Sequence, residues 1–291
     1  MLSIWWQASR PKTLLASISP VTLGALSALP ISNLNIATFI TTLFCALSLQ
    51  VAVNFANDYF DAKSGVDTDR RLGPVRAVQA GLIAASKMKT ALILMTCLAI
   101  ASGLFLVYQG GWFFLLLGVL SVLGVFLYSA GPAPIASAGL GEVVVFIFFG
   151  LIALLGSHYL QSNTITPYAW IFAINTGLFA SAVMLANNIR DIPTDRAANK
   201  LTLACRIGDP RSRNLLISFI TLPFIIHCLL TSISMLMVLP LMICLVPAIL
   251  IVKNTKNYDG RQLNELLGQI ATLNFIYCVS SSVFWQLHLL Q

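Results

Sequence analysis

The sequence predicts an all-α protein that crosses a membrane several times. Of its 291 residues, 58% are hydrophobic and 9% are charged, and the mean hydropathy is +0.86. Soluble domains carry about 25% charged residues. Here the charges are confined to short stretches between long apolar runs, each near the roughly 20 residues that a helix needs to cross the hydrocarbon core. Strands of a membrane barrel would show short alternating segments instead.

Nine apolar runs are predicted to span the membrane and to form a single domain, residues 1–291. Trp5 and Trp6 precede the first run, as expected of an interfacial aromatic belt. The predicted spans cover approximately residues 13–29, 36–55, 90–108, 112–128, 143–160, 168–186, 215–230, 235–252 and 266–289.

The connectors between these runs predict an orientation. All 17 Lys and Arg residues fall at the N-terminus or in connectors that follow even-numbered spans. Connectors that follow odd-numbered spans carry no charge. Because Lys and Arg are enriched in cytoplasmic loops, the charged side is predicted to be cytoplasmic. The same bias accounts for the net charge of +7, and no nucleic-acid motif is present, so no nucleic-acid partner is expected.

Two charged stretches, residues 54–79 and 187–209, follow the second and the sixth predicted span. Two similar units four helices apart indicate an internal duplication, with halves formed by helices 1–4 and 5–9 that face a shared cavity. Transporters contain such repeats too, so the repetition alone does not select a function.

Acids in both stretches recur three or four residues apart and would share one face of a helix. Their mutual repulsion is relieved by Mg²⁺, which prefers carboxylate and amide oxygens together with water and substrate phosphates. Surface ion pairs with neighbouring Lys and Arg are the alternative interpretation. The predicted metal ligands are Asp58, Asp61, Asp67, Asp191 and Asp195.

These residues carry a resemblance to a known family. Residues 57–67, NDYFDAKSGVD, resemble the first aspartate-rich motif of the UbiA-type intramembrane aromatic prenyltransferases. The usual motif is N-D-x-x-D-x-x-x-D; this chain has Gly65 at the last position and an acid at Asp67, a variant similar to the 1,4-dihydroxy-2-naphthoate prenyltransferases of menaquinone synthesis. The second motif is matched by Asn187, Asn188, Arg190, Asp191 and Asp195. Further matches are RPKTL (10–14), GPVRAVQ (73–79), GLGE (139–142) and K-x-T-L-x-x-R-x-G (200–208).

The resemblance implies a UbiA-type bundle with a central cavity open to the cytoplasmic side of the bacterial inner membrane, with the N-terminus on that side. It also implies a Mg²⁺-dependent polyprenyltransferase. The donor would be polyprenyl diphosphate. The acceptor would be the aromatic acid 1,4-dihydroxy-2-naphthoate, and prenyl transfer to it with decarboxylation gives demethylmenaquinone. The remaining partners are membrane lipids.

Site residues follow from this chemistry, since cations stabilise the charge that grows on the departing pyrophosphate and an apolar bundle keeps water from the allylic cation. Anchoring at the membrane surface is the alternative role of each Lys and Arg, and a belt position is the alternative for Tyr128. Glu142 is predicted to order a loop. The predicted diphosphate-binding residues are Lys12, Lys63, Arg76, Arg190, Lys200, Arg206, Asn54, Asn57, Asn187 and Asn188. The predicted catalytic residues are Asp67, Arg76, Lys200 and Tyr128.

Two other functions fit part of the pattern. A sibling enzyme would use 4-hydroxybenzoate or homogentisate as the acceptor. An ion-coupled secondary transporter would place its acids near the bilayer midplane. The charges of this chain lie at one face instead, where a soluble diphosphate head would meet a buried lipid tail, which favours the enzyme.

Overall fold

The computed structural model describes residues 2–29, 32–64, 72–130 and 134–291, without the side chains of Lys12 and Ser64. In these ranges every regular element is helical, as predicted. The α-helices are α1 (Leu2–Ala8), α2 (Pro11–Ser27), α3 (Ile36–Ser64), α4 (Ala85–Gly110), α5 (Trp112–Leu127), α6 (Gly141–Val145), α7 (Gly156–Ser162), α8 (Pro167–Ala197), α9 (Leu203–Ile207), α10 (Asp209–His227), α11 (Val238–Asn257) and α12 (Leu263–Leu289). A π-helical segment (Phe146–Leu155) joins α6 to α7, and 3₁₀ turns cover Ile135–Ser137, Cys228–Ser232, Met235–Met237 and Gly260–Gln262.

Seven helices of the described chain are long and apolar enough to cross a membrane. They are α3, α4, the continuous α6–α7 helix, α8, α10, α11 and α12, the last three together with adjoining 3₁₀ turns. The first and fourth predicted spans are the shorter helices α2 and α5, with 17 and 16 residues. At about 1.5 Å per residue, each is shorter than the roughly 30 Å hydrocarbon core. The count of nine crossings therefore stays a prediction, although all nine runs are helical.

Two helices extend well beyond their apolar runs. Helix α3 has 29 residues and ends at Ser64, so the segment 57–63 of the first charged stretch is helical. Helix α8 has 31 residues and ends at Ala197, so Asp191 and Asp195 lie one turn apart on the same helix, as the spacing predicts. Each motif is therefore carried on a helical extension at the charged face.

Buried side chains form two clusters. The smaller one joins α3 to α4 and includes Met88 and Leu92. The larger one centres on α8 and includes Phe172 and, from α12, Tyr277. In α8, 67% of the most apolar window is buried, against 22% in α3. Helix α8 is therefore the packed centre of the bundle, whereas one side of α3 faces the cavity.

Glycines allow α2, the π-helical segment and α8 to pack closely. A Cβ atom added at Gly150, in the π-helical segment, would lie 2.7 Å from the Ala173 carbonyl oxygen and from the Gly177 Cα. A Cβ at Gly24 would lie 2.3 Å from the Leu154 carbonyl oxygen. Small residues at helix contacts permit such approach inside membranes. Gly150 therefore allows the π-helical segment to pack against α8, and Gly24 allows α2 to pack against the π-helical segment.

Contacts between connectors show which of them share a face. On one face, the Ser32 hydroxyl donates to the Gln161 carbonyl oxygen at 2.6 Å, and the Asn35 N–H donates to the Gln161 side chain at 2.8 Å. On the other face, the Asn264 amide donates to the Leu72 carbonyl oxygen at 3.0 Å. Connectors after odd-numbered spans thus meet each other, and so do those after even-numbered spans. The charged connectors lie together.

Candidate functional site

Both charged stretches line one cavity of about 1460 Å³. The cavity is bounded by α2, α3, α4, α5, the α6–α7 helix and α8. The extensions of α3 and α8 contribute charged and amide side chains to the cavity wall, and apolar side chains line the rest. The predicted site residues that line it are Asn54, Asn57, Asp61, Lys63, Arg76, Tyr128, Asn187, Asn188, Asp191, Asp195, Lys200 and Arg206.

In the first stretch, an ion pair holds the returning loop over the end of α3. The Asp61 Oδ2 atom accepts a hydrogen bond from Arg76 Nη2 at 2.6 Å. The exposed fraction of the side chain is 6% for Arg76 and 16% for Asp61. Charge-assisted contacts of this kind are strong where water is scarce. The pair therefore places a cation and a carboxylate side by side at the cavity.

Asp58 is buried behind that pair and contacts the backbone of the same loop. Its two carboxylate oxygens accept the N–H groups of Ala77 and Val78, each at 2.9 Å. Asp58 is not among the cavity-lining residues. In this arrangement its carboxylate folds the loop that carries Arg76, and its role as a metal ligand stays a prediction.

In the second stretch, the buried Arg190 side chain binds the Asp191 carboxylate. Arg190 donates to the two carboxylate oxygens of Asp191, from Nε at 2.8 Å and from Nη2 at 2.6 Å. It also donates to Asn187 Oδ1 and to Asn264 Oδ1, each at 2.7 Å. The Arg190 side chain is 1% exposed and does not line the cavity. Its contacts orient Asp191, and the predicted contact with a diphosphate stays a prediction.

Two neighbouring amides present opposite groups to the cavity. The Asn187 carbonyl oxygen accepts from Arg190, which leaves its NH₂ group for a ligand. The Asn188 NH₂ group donates to Glu142 Oε1 at 2.8 Å, which leaves its carbonyl oxygen for a ligand. Asn187 is therefore suited to an anionic oxygen, and Asn188 is suited to a cation.

Glu142 fixes the Asn188 amide and the start of α6. It is 3% exposed, and its Oε2 atom has no hydrogen-bond partner within the described ranges. Its backbone carbonyl oxygen accepts from the Ser181 hydroxyl on α8 at 2.9 Å. Glu142 therefore ties α6 to α8 and sets the orientation of a cavity amide. Its predicted loop-ordering role would act through these contacts.

Two cations of the second stretch lie beside the cavity after α8. Lys200 Nζ is 3.6 Å from Asp195 Oδ1. Arg206 Nε donates to the Leu201 carbonyl oxygen at 3.0 Å and packs against Gly139. A Cβ at Gly139 would lie 2.8 Å from Arg206 Nε, and the positive φ of +77° also favours glycine there. Gly139 therefore leaves room for Arg206 at the cavity.

The other predicted residues are placed as follows. The Tyr128 hydroxyl donates to Met184 Sδ at 3.4 Å within the cavity wall, and the catalytic role of this residue stays a prediction. Asn57 accepts from the Ser129 hydroxyl. Asp67 and the side chain of Lys12 lie outside the described residues.

The cavity-lining donors fit Mg²⁺ only together with a ligand. In the described part of the chain, no three His, Cys, Asp or Glu side chains are close enough to hold a metal by themselves. Asp61, Asp191 and Asp195 nevertheless line the same cavity from two helices, with the Asn188 oxygen beside them. Mg²⁺ keeps water and phosphate oxygens among its six ligands and often takes only one or two carboxylates. The donor set suits a metal that is shared with a phosphorylated molecule.

Apolar side chains line the remainder of the cavity. They come from α3, α4, α5 and the α6–α7 helix, where the π-helical turns bring Phe148, Phe149 and Ile152 to the wall. π-helical turns are rare and occur frequently at functional sites. A polar mouth joined to an apolar depth suits a molecule with a charged head and a lipid tail.

Several cavity or supporting residues were not predicted as site residues. Arg10 lines the cavity, and its φ of 53° is unusual for a residue other than glycine. Thr13 accepts from the Asn54 amide at 3.0 Å. Asn264, on α12, contacts both charged stretches. The RPKTL match was a signal for Arg10 and Thr13, whereas no motif contains Asn264.

The fold and the cavity define an integral-membrane helical bundle whose cavity joins charged and amide side chains to an apolar interior. A sequence model of the UbiA prenyltransferase family matches residues 17–276, most of the chain. The chain belongs to the UbiA prenyltransferase family.

Individual relatives agree with this assignment. The 1,4-dihydroxy-2-naphthoate octaprenyltransferase of Haemophilus influenzae is 37% identical over 243 residues, which cover 80% of this chain and 75% of the relative. Among solved structures, a UbiA homolog from Aeropyrum pernix matches with a TM-score of 0.74 at 15% identity, over 93% of this chain and 97% of its own. A UbiA homolog from Archaeoglobus fulgidus, bound to DMAPP and Mg²⁺, matches with a TM-score of 0.68 at 14% identity, over 97% and 99% of the two chains. At these identities the two structures establish the shared fold.

Proposed function

We propose that the protein transfers a polyprenyl group from polyprenyl diphosphate to 1,4-dihydroxy-2-naphthoate, with loss of CO₂. The product is the hydroquinone form of demethylmenaquinone. The observation that carries this proposal is the single cavity, which combines carboxylates of two helices, several cations and an apolar depth. The relative from Haemophilus influenzae, named for the same acceptor, supports the choice of naphthoate.

The diphosphate head binds at the charged end of the cavity. Lys63, Arg76, Lys200 and Arg206 supply positive charge there, and the Asn187 NH₂ group supplies a donor. Asp61, Asp191 and Asp195, with the Asn188 oxygen, would hold Mg²⁺, and Asp67 is the further predicted ligand. Bound Mg²⁺ would neutralise charge that develops on the leaving pyrophosphate. A homolog bound to DMAPP and Mg²⁺ is consistent with this arrangement.

The prenyl tail lies along the apolar part of the cavity. Side chains such as Leu49, Phe114 and Phe148 would cover it and exclude water from the allylic carbon. The exclusion protects the reaction, since water would convert the cation to an alcohol. A tail held there also directs the diphosphate to the ends of α3 and α8.

The transfer step needs no histidine. The allylic C–O bond breaks, and its electron pair leaves on pyrophosphate. The ring carbon that carries the carboxylate forms the new C–C bond, and loss of CO₂ returns the electron pair to the ring and restores its aromaticity. No proton has to leave that carbon. This agrees with the positions of His158 and His227, which contact Ser27 and Tyr277 in the bundle instead of lining the cavity.

The enzyme would act in the bacterial inner membrane, with the charged end of the cavity on the cytoplasmic side. The positive-inside bias supports this orientation, because all Lys and Arg lie in the connectors of that face or at the N-terminus. Soluble naphthoate would then enter from the cytoplasm and pyrophosphate would leave to it, whereas the polyprenyl donor would enter from the bilayer and the prenylated product would return there.

An acceptor panel tests the proposal. Membranes that contain the protein are incubated with radiolabelled octaprenyl diphosphate, Mg²⁺ and one aromatic acid at a time. We expect prenylated product with 1,4-dihydroxy-2-naphthoate, release of its carboxylate carbon as CO₂, and loss of both with EDTA. Product with 4-hydroxybenzoate or homogentisate alone would assign a sibling acceptor. Uptake of label without covalent product would contradict the enzyme.

A further inference from the structure

We propose that Asn264, on α12, is a positioning residue that couples the two charged stretches. The proposal rests on the proposed function, because it concerns how the same site binds the diphosphate. Asn264 belongs to neither aspartate-rich motif. It lies at the start of the last helix, 192 residues from Leu72 in the sequence.

The Asn264 amide has one contact with each stretch. Its Nδ2 atom donates to the Leu72 carbonyl oxygen at 3.0 Å, and its Oδ1 atom accepts from Arg190 Nη1 at 2.7 Å. Nδ2 also donates to the Arg261 carbonyl oxygen at 3.0 Å, in the 3₁₀ turn that precedes α12. Since the two ends of the amide face different partners, a reversed amide would break the contacts with both stretches.

Each contact leads to a cavity carboxylate. Leu72 begins the described part of the loop that carries Arg76, the partner of Asp61. Arg190 is the bidentate partner of Asp191. Asn264 thus links the loop on which the Asp61 ion pair depends to the arginine that orients Asp191. The distance between the two carboxylates depends on that link.

The segment that carries Asn264 is itself held in place. Arg213, on α10, donates to Asp209 Oδ1 at 2.7 Å and to Asp259 Oδ1 at 2.5 Å. It also donates to the carbonyl oxygens of Thr255 at 2.6 Å and Tyr258 at 2.8 Å. The connector between α11 and α12 is therefore fixed to α10. Because this connector is held to α10, the position of Asn264 does not change when either charged stretch moves. Its side-chain amide can therefore position both stretches.

The expected consequence is weaker binding of diphosphate without a change in the reacting groups. Asn264 is not among the cavity-lining residues, so its loss removes no group that touches the substrate. Half-saturation by Mg²⁺ and by polyprenyl diphosphate should rise about tenfold, the effect of losing a hydrogen bond to a charged group. The kcat at saturating substrate should change less than threefold, because the assembled site is the same.

Two variants in nanodiscs test the coupling. Asn264→Ala removes both contacts. Asn264→Asp keeps an acceptor for Arg190 but has no donor for Leu72. The matched control is Asn254→Ala, which breaks an α11–α12 hydrogen bond to Gln269 (2.9 Å) and contacts neither stretch. Calorimetry measures the Kd of a Mg²⁺-bound geranyl diphosphate analogue whose bridging oxygen is replaced by sulfur. Amide hydrogen exchange measures opening of residues 72–84.

Both Asn264 variants should bind the analogue about tenfold more weakly and exchange faster at residues 72–84, with the control unchanged in both measurements. A wild-type Kd in either variant would overturn the coupling, and so would an equal loss in Asn254→Ala. A wild-type protein that binds the analogue but prenylates no naphthoate would overturn the proposed acceptor and leave the coupling standing. A wild-type protein that does not bind the analogue would overturn both.

Discussion

The two charged stretches have similar sequences but are assembled differently. In the second, Arg190 contacts its sequence neighbour Asp191 and the amide of Asn187, so one helix provides the arrangement. In the first, Asp61 pairs with Arg76, 15 residues away, across a turn of the chain. The contacts between Arg190, Asp191 and Asn187 therefore lie within α8. The first half is complete only when its loop has folded back over α3.

The helices that carry the two stretches also differ in how deeply they are buried. Helix α8 is the packed centre of the bundle, whereas one side of α3 faces the cavity, and 67% and 22% of their apolar windows are buried. Substitutions in the second stretch should therefore disturb a rigid framework and the chemistry together. Substitutions in the first should act through the opening of a loop.

The largest effect is expected at Asp191. Replacing it with Ala or Asn removes a carboxylate that we propose as a metal ligand, and prenyl transfer should fall about 10²–10³-fold in both variants. Both should also lower the free energy of unfolding, Asp191→Ala by about 3 kcal/mol and Asp191→Asn by less, because Arg190 is then buried without its carboxylate partner and only Asn keeps an acceptor. Product formation and thermal unfolding in nanodiscs measure the two effects. An Asp191→Asn protein with wild-type activity would remove Asp191 from the reaction.

An intermediate effect is expected at Asp58. Asp58→Ala leaves the N–H groups of Ala77 and Val78 without their acceptor, so activity should fall about 10–100-fold, equivalent to about 1.4–2.8 kcal/mol. Asp58→Asn retains one acceptor and should lie between Ala and the wild type. Amide exchange at residues 72–84 should rise in the same order. A change in Mg²⁺ dependence without faster exchange would support the metal role and contradict the loop role.

The smallest effect is expected at Glu142, which supports Asn188 without lining the cavity. Glu142→Ala should reduce activity about tenfold, because the Asn188 amide loses the contact that orients it. Glu142→Gln keeps an acceptor of the same length and should stay within about threefold of the wild type. Steady-state prenyl transfer gives both values. Equal losses in the two variants would mean that the carboxylate charge matters, not the orientation of Asn188.

Much of the fold is predictable because hydropathy is a local property. The nine apolar runs are helical, and the spacing of Asp191 and Asp195 places them on one helix face. The length of α3 is less predictable, since its apolar run ends near residue 55 but the helix continues to Ser64. In this extension, Tyr59 and Phe60 pack against the buried cluster that joins α3 to α4, a tertiary contact that hydropathy does not indicate.

The residue types of the site are predictable from the sequence, but the contacts that each residue makes are not. Among the described residues, Asp61, Asp191, Asp195 and the amides of both motifs line the cavity. Their residue types were predictable because charge is rare in this chain. The contacts of Asp58 are with backbone N–H groups of a loop, which no side-chain pattern encodes. The contacts of Asn264 are with residues 74 and 192 positions away in the sequence. A single asparagine forms no spacing pattern from which such contacts could be predicted.

The central claim is that both stretches bind one diphosphate. A double-mutant cycle on Asp61→Asn and Asp195→Asn, using the Kd of the Mg²⁺-bound thio analogue, tests it most directly. If the two carboxylates share a ligand, their effects should deviate from additivity by about 1 kcal/mol or more. Additive effects, within about 0.5 kcal/mol, would show that the two stretches act on separate ligands and would contradict the account.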